Sequence, residues 1–184
     1  MNPANPQWSP KVGDPTYFAW IIVALYALAA WQSWRASREA RQPERQFWTC
    51  LALILAMLCV NKQLDLQTLL TQIVRSVARA QGWYAGRRTY QLAFIGAFAA
   101  MMFVGMIGLA IRFRRSPPVL WLAVLGISLQ GLFVVMRAAS MHHVDEFFTV
   151  RVGGLRLLFL LELPGIVAII IAASASLKGR GLAR

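Results

Sequence analysis

Acidic residues are scarce in this chain: seven Asp and Glu stand against 19 Lys and Arg, a formal charge of +12 over 184 residues. In a soluble protein that imbalance would point to nucleic acid. Here the basic residues flank long apolar runs, which points instead to phospholipid head groups, and no nucleic-acid partner is expected. Histidine is scarcer still, His142 and His143 being the only two. Adjacent histidines cannot ligate one haem iron from separate helices, so no haem is expected. The H-x-x-x-H and H-E-x-x-H zinc pairs are also missing. Cys50 and Cys59 both fall in one apolar run, where a free cysteine behaves as a small hydrophobe and says nothing about redox compartment. There is no low-complexity tract and no internal repeat. The first 15 residues are polar, rich in Pro and Asn and not basic, so no cleavable signal peptide is expected.

What the chain has in abundance is apolar residues, and they come in blocks. A membrane span needs roughly 20 mostly apolar residues to cross about 30 Å of hydrocarbon. Five stretches approach that length, at 17–34, 47–66, 91–111, 118–138 and 155–177. The expected fold is therefore an all-α membrane bundle of about five transmembrane helices. A polar N-terminal tail (1–16) would precede the bundle (17–177), and a basic tail (178–184) would follow it. Tyr17 and Trp20 at one end of the first span, with Trp31 and Trp34 at the other, read as interface anchors. Residues 35–46, with four arginines, Glu39, Pro43 and Glu44, read as a link. After Val60 the second span turns polar without a helix breaker. Asn61, Asp65, Thr68, Gln72, Arg75 and Arg79 recur at helical spacing opposite Leu66, Leu69, Leu70, Ile73, Val74 and Val77. That predicts an amphipathic extension ending near Gly82. The third span is rich in Gly, Ala and Met, small or pliable residues that let helices approach closely in lipid.

Five spans put the termini on opposite sides. Ten Lys and Arg would lie on the side of the 35–46 link and the C-terminus, nine on the other. The ten sit in short segments, where the positive-inside rule has most force. The N-terminus is expected outside and the C-terminus in the cytoplasm.

Depth arithmetic then gathers the polar residues of the spans. At about 1.5 Å per helical residue, Asn61 lies roughly 20 Å and Gln130 roughly 18 Å above the inner ends of their spans. Glu162 lies roughly 12 Å below the outer end of its own, a similar level in a core about 30 Å thick. Lys62, Asp65, Arg137, His142 and His143 would lie above that layer. Polar groups in hydrocarbon normally face the bundle interior, so a pocket open to the outer interface is expected. A purely structural role for Glu162, neutralised by Lys62 or Arg137, stays open beside a functional one.

Three chemistries fit these residue types. Asn61, Lys62, Asp65, Arg87, Arg88, Gln130 and Arg137 would hold an anionic lipid or lipid-linked phosphate, the guanidinium groups gripping its oxygens. His142, with His143 and Asp145, would be the reactive or ligating group. A metal-dependent hydrolase or transferase would instead hold one divalent metal on His142, Asp145, Glu146 and Glu162. An accessory subunit would use the polar layer only to pack against a membrane-protein partner or a second copy of the chain.

Some of these residues carry resemblances. Arg137, His142 and Asp145 resemble the last motif of PAP2-type lipid phosphatases, although the spacing differs and that family's Pro-Ser-Gly-His motif is absent. The run from Ser140 to His143 resembles one motif of the alkaline ceramidase group, whose later paired histidines have no counterpart here. Over roughly residues 45–165, three segments together look like a group of small uncharacterised bacterial inner-membrane proteins. They are Asn61-Lys62-Gln63-x-Asp65-x-Gln67, Gly82-Trp83-Tyr84-x-x-Arg87-Arg88-x-x-Gln91 and His142-His143-x-Asp145. That likeness implies a bacterial inner-membrane location and no particular activity.

Overall fold

The computed structural model describes residues 17–64, 87–139, 151–152 and 155–181. They form five helices: α1 (Tyr17–Glu39), α2 (Glu44–Leu64), α3 (Arg87–Arg112), α4 (Pro118–Ala139) and α5 (Leu157–Gly181). Just before α5, Arg151–Val152 (β1) and Leu155–Arg156 (β2) pair antiparallel, Arg151 with Arg156 and Val152 with Leu155.

Four of the helices are long and apolar enough to cross a membrane: α1, α3, α4 and α5. The protein is a multi-pass, all-helical membrane bundle. In α2 the apolar run from Phe47 to Val60 is bounded by Arg45 and Lys62, which leaves it shorter than the roughly 20 residues of a full span. It lies along α1, the most extensive helix pairing among the described residues. The link expected at 35–46 is shorter than the sequence suggests, since α1 runs on to Glu39 and α2 starts at Glu44. The Arg35 guanidinium sits 5.0 Å over the Trp31 ring and that of Arg38 sits 5.2 Å over Trp34. These four-residue spacings stack each cation on the turn below and carry the helix past the apolar block.

Contacts between the helices fix their directions. Phe18 meets Phe159, Tyr26 meets Glu162 and Gln32 meets Ser174, so α1 and α5 run parallel. Cys59 donates to the Val23 carbonyl, so α2 runs back along α1. Gly126 approaches Ile169 while Gln130 approaches Glu162, so α4 is antiparallel to α5. A Cβ on Gly131 would meet Met102, and a tight turn at 113–117 joins α3 to α4. The starts of α1, α3 and α5 therefore share one end of the bundle with the ends of α2 and α4. We call this the near end and the opposite one the far end.

The core runs between α1, α2, α4 and α5. Trp48, Leu55, Leu120, Ile166 and Ile169 are fully buried there, spaced by Ala29, Ala36, Ala123, Ala172 and Ala173. Alanine and glycine let the axes approach, the commonest means of packing helices in lipid. At the far end Phe47 packs edge-on against Phe113, ring centroids 5.2 Å apart. The outer surface is apolar: Trp20, Met57, Phe103, Val104, Ile111 and Ile171 are all at least half exposed. None of Ile95–Arg112 in α3 is buried, as expected of a helix facing hydrocarbon on most sides.

Candidate functional site

Each helix of the core buries a stripe of positions three and four apart, and each stripe carries one polar side chain toward the near end. On α1 the stripe runs Ala19, Ile22, Tyr26, Ala29, Ser33. On α2 it runs Trp48, Leu51, Leu55, Leu58 and reaches Lys62. Leu120, Ala123 and Val124 lead to Gln130 on α4, and Phe159, Glu162, Ile166 and Ile169 face inward from α5. The spacing that buries the apolar members forces the polar ones into the same interior.

There they meet. The Lys62 ammonium lies 2.5 Å from Glu162 Oε2, with the side chains only 9% and 2% exposed. The same ammonium sits 5.5 Å over the Phe159 ring. The Tyr26 hydroxyl lies 2.9 Å from Glu162 Oε1 and 2.9 Å from Gln130 Oε1. Gln130 Nε2 donates to the backbone carbonyl of Glu162 at 2.8 Å. Two residues on, Pro164 interrupts the helix ladder of α5, leaving the Leu160 carbonyl without its usual N–H donor. An ionised group buried in so apolar a setting is tolerated only when paired and hydrogen-bonded. Here the charge of Glu162 is met by Lys62, and side chains from three other helices close around it.

The close approach that permits this comes from two facing glycines. A Cβ on Gly165 would lie 2.8 Å from Gln130 Nε2 and 2.9 Å from the Gly126 carbonyl oxygen. One on Gly126 would lie 2.6 Å from Ile169 Cγ1 and 2.9 Å from the Gly165 carbonyl oxygen. Neither side chain fits without parting α4 from α5. Toward the far end, the Ser174 hydroxyl donates to Gln32 Oε1 at 2.6 Å, a second polar tie between α1 and α5.

Of the residues singled out in the sequence, Gln130 and Glu162 meet at one level, and the third member there is Lys62, expected above that level, rather than Asn61. Of the two neutralising partners considered for Glu162, Lys62 makes the contact. Asn61 is half-buried on α2 and takes no part in the hydrogen bonds that join Tyr26, Lys62, Gln130 and Glu162. Arg87 and Arg88 open α3 and Arg137 stands in the last turn of α4, all at the near end. Their side chains, together with Asp65, His142, His143, Asp145 and Glu146, lie outside the described residues. Both carboxylate oxygens of Glu162 are engaged by protein donors, and no group of three or more metal-ligating side chains occurs among the described residues.

Two features were missed in the sequence. Tyr26 was passed over because an aromatic residue in a span reads as packing or as an interface anchor. Its signal was the buried spacing from Ile22 to Ala29, which makes a polar hydroxyl interior. Arg151 and Arg156 are the other, brought to paired positions by the short β-ladder. The Gly153-Gly154 dipeptide between them is a recognised hairpin signal. No family model, curated protein or solved structure matches the chain.

Proposed function

We propose that the near end of this membrane bundle binds the phosphate of an anionic lipid or a lipid-linked phosphate. The observation that carries this reading is the register Arg151↔Arg156. Residues at paired positions share one face of a ladder, and like charges directly opposite are destabilising when nothing lies between them. A phosphate between two guanidinium groups turns that repulsion into charge-assisted hydrogen bonds. Arg87, Arg88 and Arg137 belong to the same end of the bundle. So do the starts of α1, α3 and α5, whose positive dipole ends favour an anion. Lys62 has three ammonium protons and gives one to Glu162, which leaves donors for a ligand above it. In this reading the layer of Tyr26, Lys62, Gln130 and Glu162 is the closed base of the site. His142 and Asp145, by their residue types, would act on the phosphate or simply hold it.

The likeness to small bacterial inner-membrane proteins supports a bacterial inner-membrane location. The positive-inside rule supports an N-terminus outside and a C-terminus in the cytoplasm, with the near end on the outer face. Native mass spectrometry of protein released gently from its own membranes tests the reading. An anionic lipid adduct should survive in the wild type, disappear in the double variant Arg151→Ala/Arg156→Ala and persist in the far-end double variant Arg114→Ala/Arg115→Ala. An adduct that both double variants keep, or both lose, contradicts a near-end site.

A further inference from the structure

The face of α1 that meets lipid carries two cations in an unusual pose. Opposite the buried stripe that runs from Ala19 to Ser37 stand Trp31, Trp34, Arg35 and Arg38, all exposed. Side chains on a helix lean toward its N-terminus, and both arginines follow that lean. Their guanidinium groups lie over the Trp31 and Trp34 rings, 5.0 Å and 5.2 Å from the centroids. Each charge is thereby turned back toward the middle of the bundle, by as much as one helical turn, about 5 Å. An arginine at the end of a span ordinarily reaches the other way, outward to the head groups. Neither guanidinium pairs with a carboxylate among the described residues. Their flat faces rest on indole, which leaves the N–H edges for another acceptor.

Two lengths agree with charges held at that depth. The aromatic pairs of α1, Tyr17 with Trp20 and Trp31 with Trp34, are centred about 14 residues apart, roughly 21 Å along the axis. On α2, which lies along α1, the apolar run from Phe47 to Val60 rises over roughly 20 Å. Hydrocarbon about 30 Å thick overreaches both. The Phe159–Gly179 segment of α5, by contrast, has 21 residues and fills that thickness at about 1.5 Å per residue. A bilayer yields to a short apolar flank by thinning beside it, and a guanidinium below head-group level is costly until a phosphate descends to it. We propose that Arg35 and Arg38 hold the phosphates of far-end phospholipids at the level of Trp31 and Trp34, thinning the bilayer alongside α1 and α2. The guanidinium edges donate to phosphodiester oxygens, while the indoles keep the cations from swinging outward. The partner is whichever phospholipid lies against α1, because the phosphate is common to them all. Such lipids exchange with the bulk and leave when the protein is released from its membrane, unlike the near-end ligand, on which this inference does not rest.

Solid-state NMR of the full chain in phosphatidylcholine bilayers, with the indole nitrogens isotopically labelled, tests this inference. Dephasing of a nitrogen by lipid phosphorus reports how near a phosphate comes to a tryptophan ring. The wild type should show a dephased share that Trp31→Phe/Trp34→Phe removes. Arg35→Gln/Arg38→Gln should reduce that share by at least half, because the phosphates withdraw to the ordinary head-group level. A share that keeps its full strength in the arginine variant, or survives intact in the tryptophan variant, overturns the proposal. Should the arginine variant lose its helical circular dichroism, the tryptophan variant decides alone: a lost share upholds phosphates at that level, and an unchanged one overturns them.

Discussion

Replacing Gly165 with alanine should separate α4 from α5 at the polar layer. The added Cβ would stand 2.8 Å from Gln130 Nε2, 2.9 Å from the Gly126 carbonyl oxygen and 3.1 Å from Gln130 Cγ. A side chain can rotate away from such a clash, but the backbone oxygen of Gly126 cannot. Ordinary contact at about 3.5 Å requires the helices to part by roughly 0.6 Å. The same movement stretches the Gln130 Nε2–Glu162 carbonyl bond from 2.8 Å to the edge of hydrogen-bonding distance. Overpacking of this kind costs about 1–3 kcal/mol, and a buried amide deprived of its partner about 1–3 kcal/mol more. The better helix propensity of alanine returns about 0.5–1 kcal/mol. The expected net loss is about 1–5 kcal/mol. Gly105→Ala is the matched control, because nothing lies within 4 Å of a Cβ there; it should be neutral or stabilising by up to about 1 kcal/mol. Reversible unfolding in mixed micelles, followed by far-UV circular dichroism, compares the two. A Gly165→Ala protein as stable as Gly105→Ala would refute the close approach and the layer built on it.

Gly126→Ala meets the Gly165 carbonyl oxygen in the same way and should lose stability with the same sign in the same unfolding assay. Tyr26→Phe removes the one hydroxyl proton within reach of both Gln130 Oε1 and Glu162 Oε1 and should cost about 1–3 kcal/mol; a loss below about 0.5 kcal/mol would place the hydroxyl outside the network. Binding of anionic-lipid nanodiscs by the wild type should weaken with added salt, since exposed charges are screened beyond about 10 Å at 0.1 M. The Arg151→Ala/Arg156→Ala variant should show a smaller salt dependence, and an unchanged one would count against the paired arginines.

Much of this architecture was legible in the chain. The apolar blocks located the spans because a backbone in lipid must bond to itself, and a helix does so over a length the sequence displays. The shared level of Gln130 and Glu162 was legible because depth follows from rise per residue and from a known hydrocarbon thickness, whereas the same arithmetic put Asn61 in the place that Lys62 takes. Less was visible where packing decides. Tyr26 is indistinguishable by composition from the interfacial Tyr17, which is 89% exposed; only the rotation of α1 against α5 separates them. Arg35 and Arg38 read as part of the 35–46 link, whereas they stack on Trp31 and Trp34 inside α1, which runs on to Glu39. The pairing of Arg151 with Arg156 rests on strands of two residues each, too short for an alternating pattern to be seen. The parallel contact of α1 with α5 is a tertiary fact that no local pattern carries.

The contact on which the whole arrangement depends is the one between Lys62 and Glu162, and a double-mutant cycle measures it directly. Lys62→Met leaves a buried carboxylate without its counter-charge and should destabilise the bundle by about 3–5 kcal/mol. Adding Glu162→Gln to that variant should recover much of the loss, giving a coupling energy of about 1–3 kcal/mol. If the two substitutions are instead additive, the lysine and the glutamate are not partners, and the polar layer is not the base of a site.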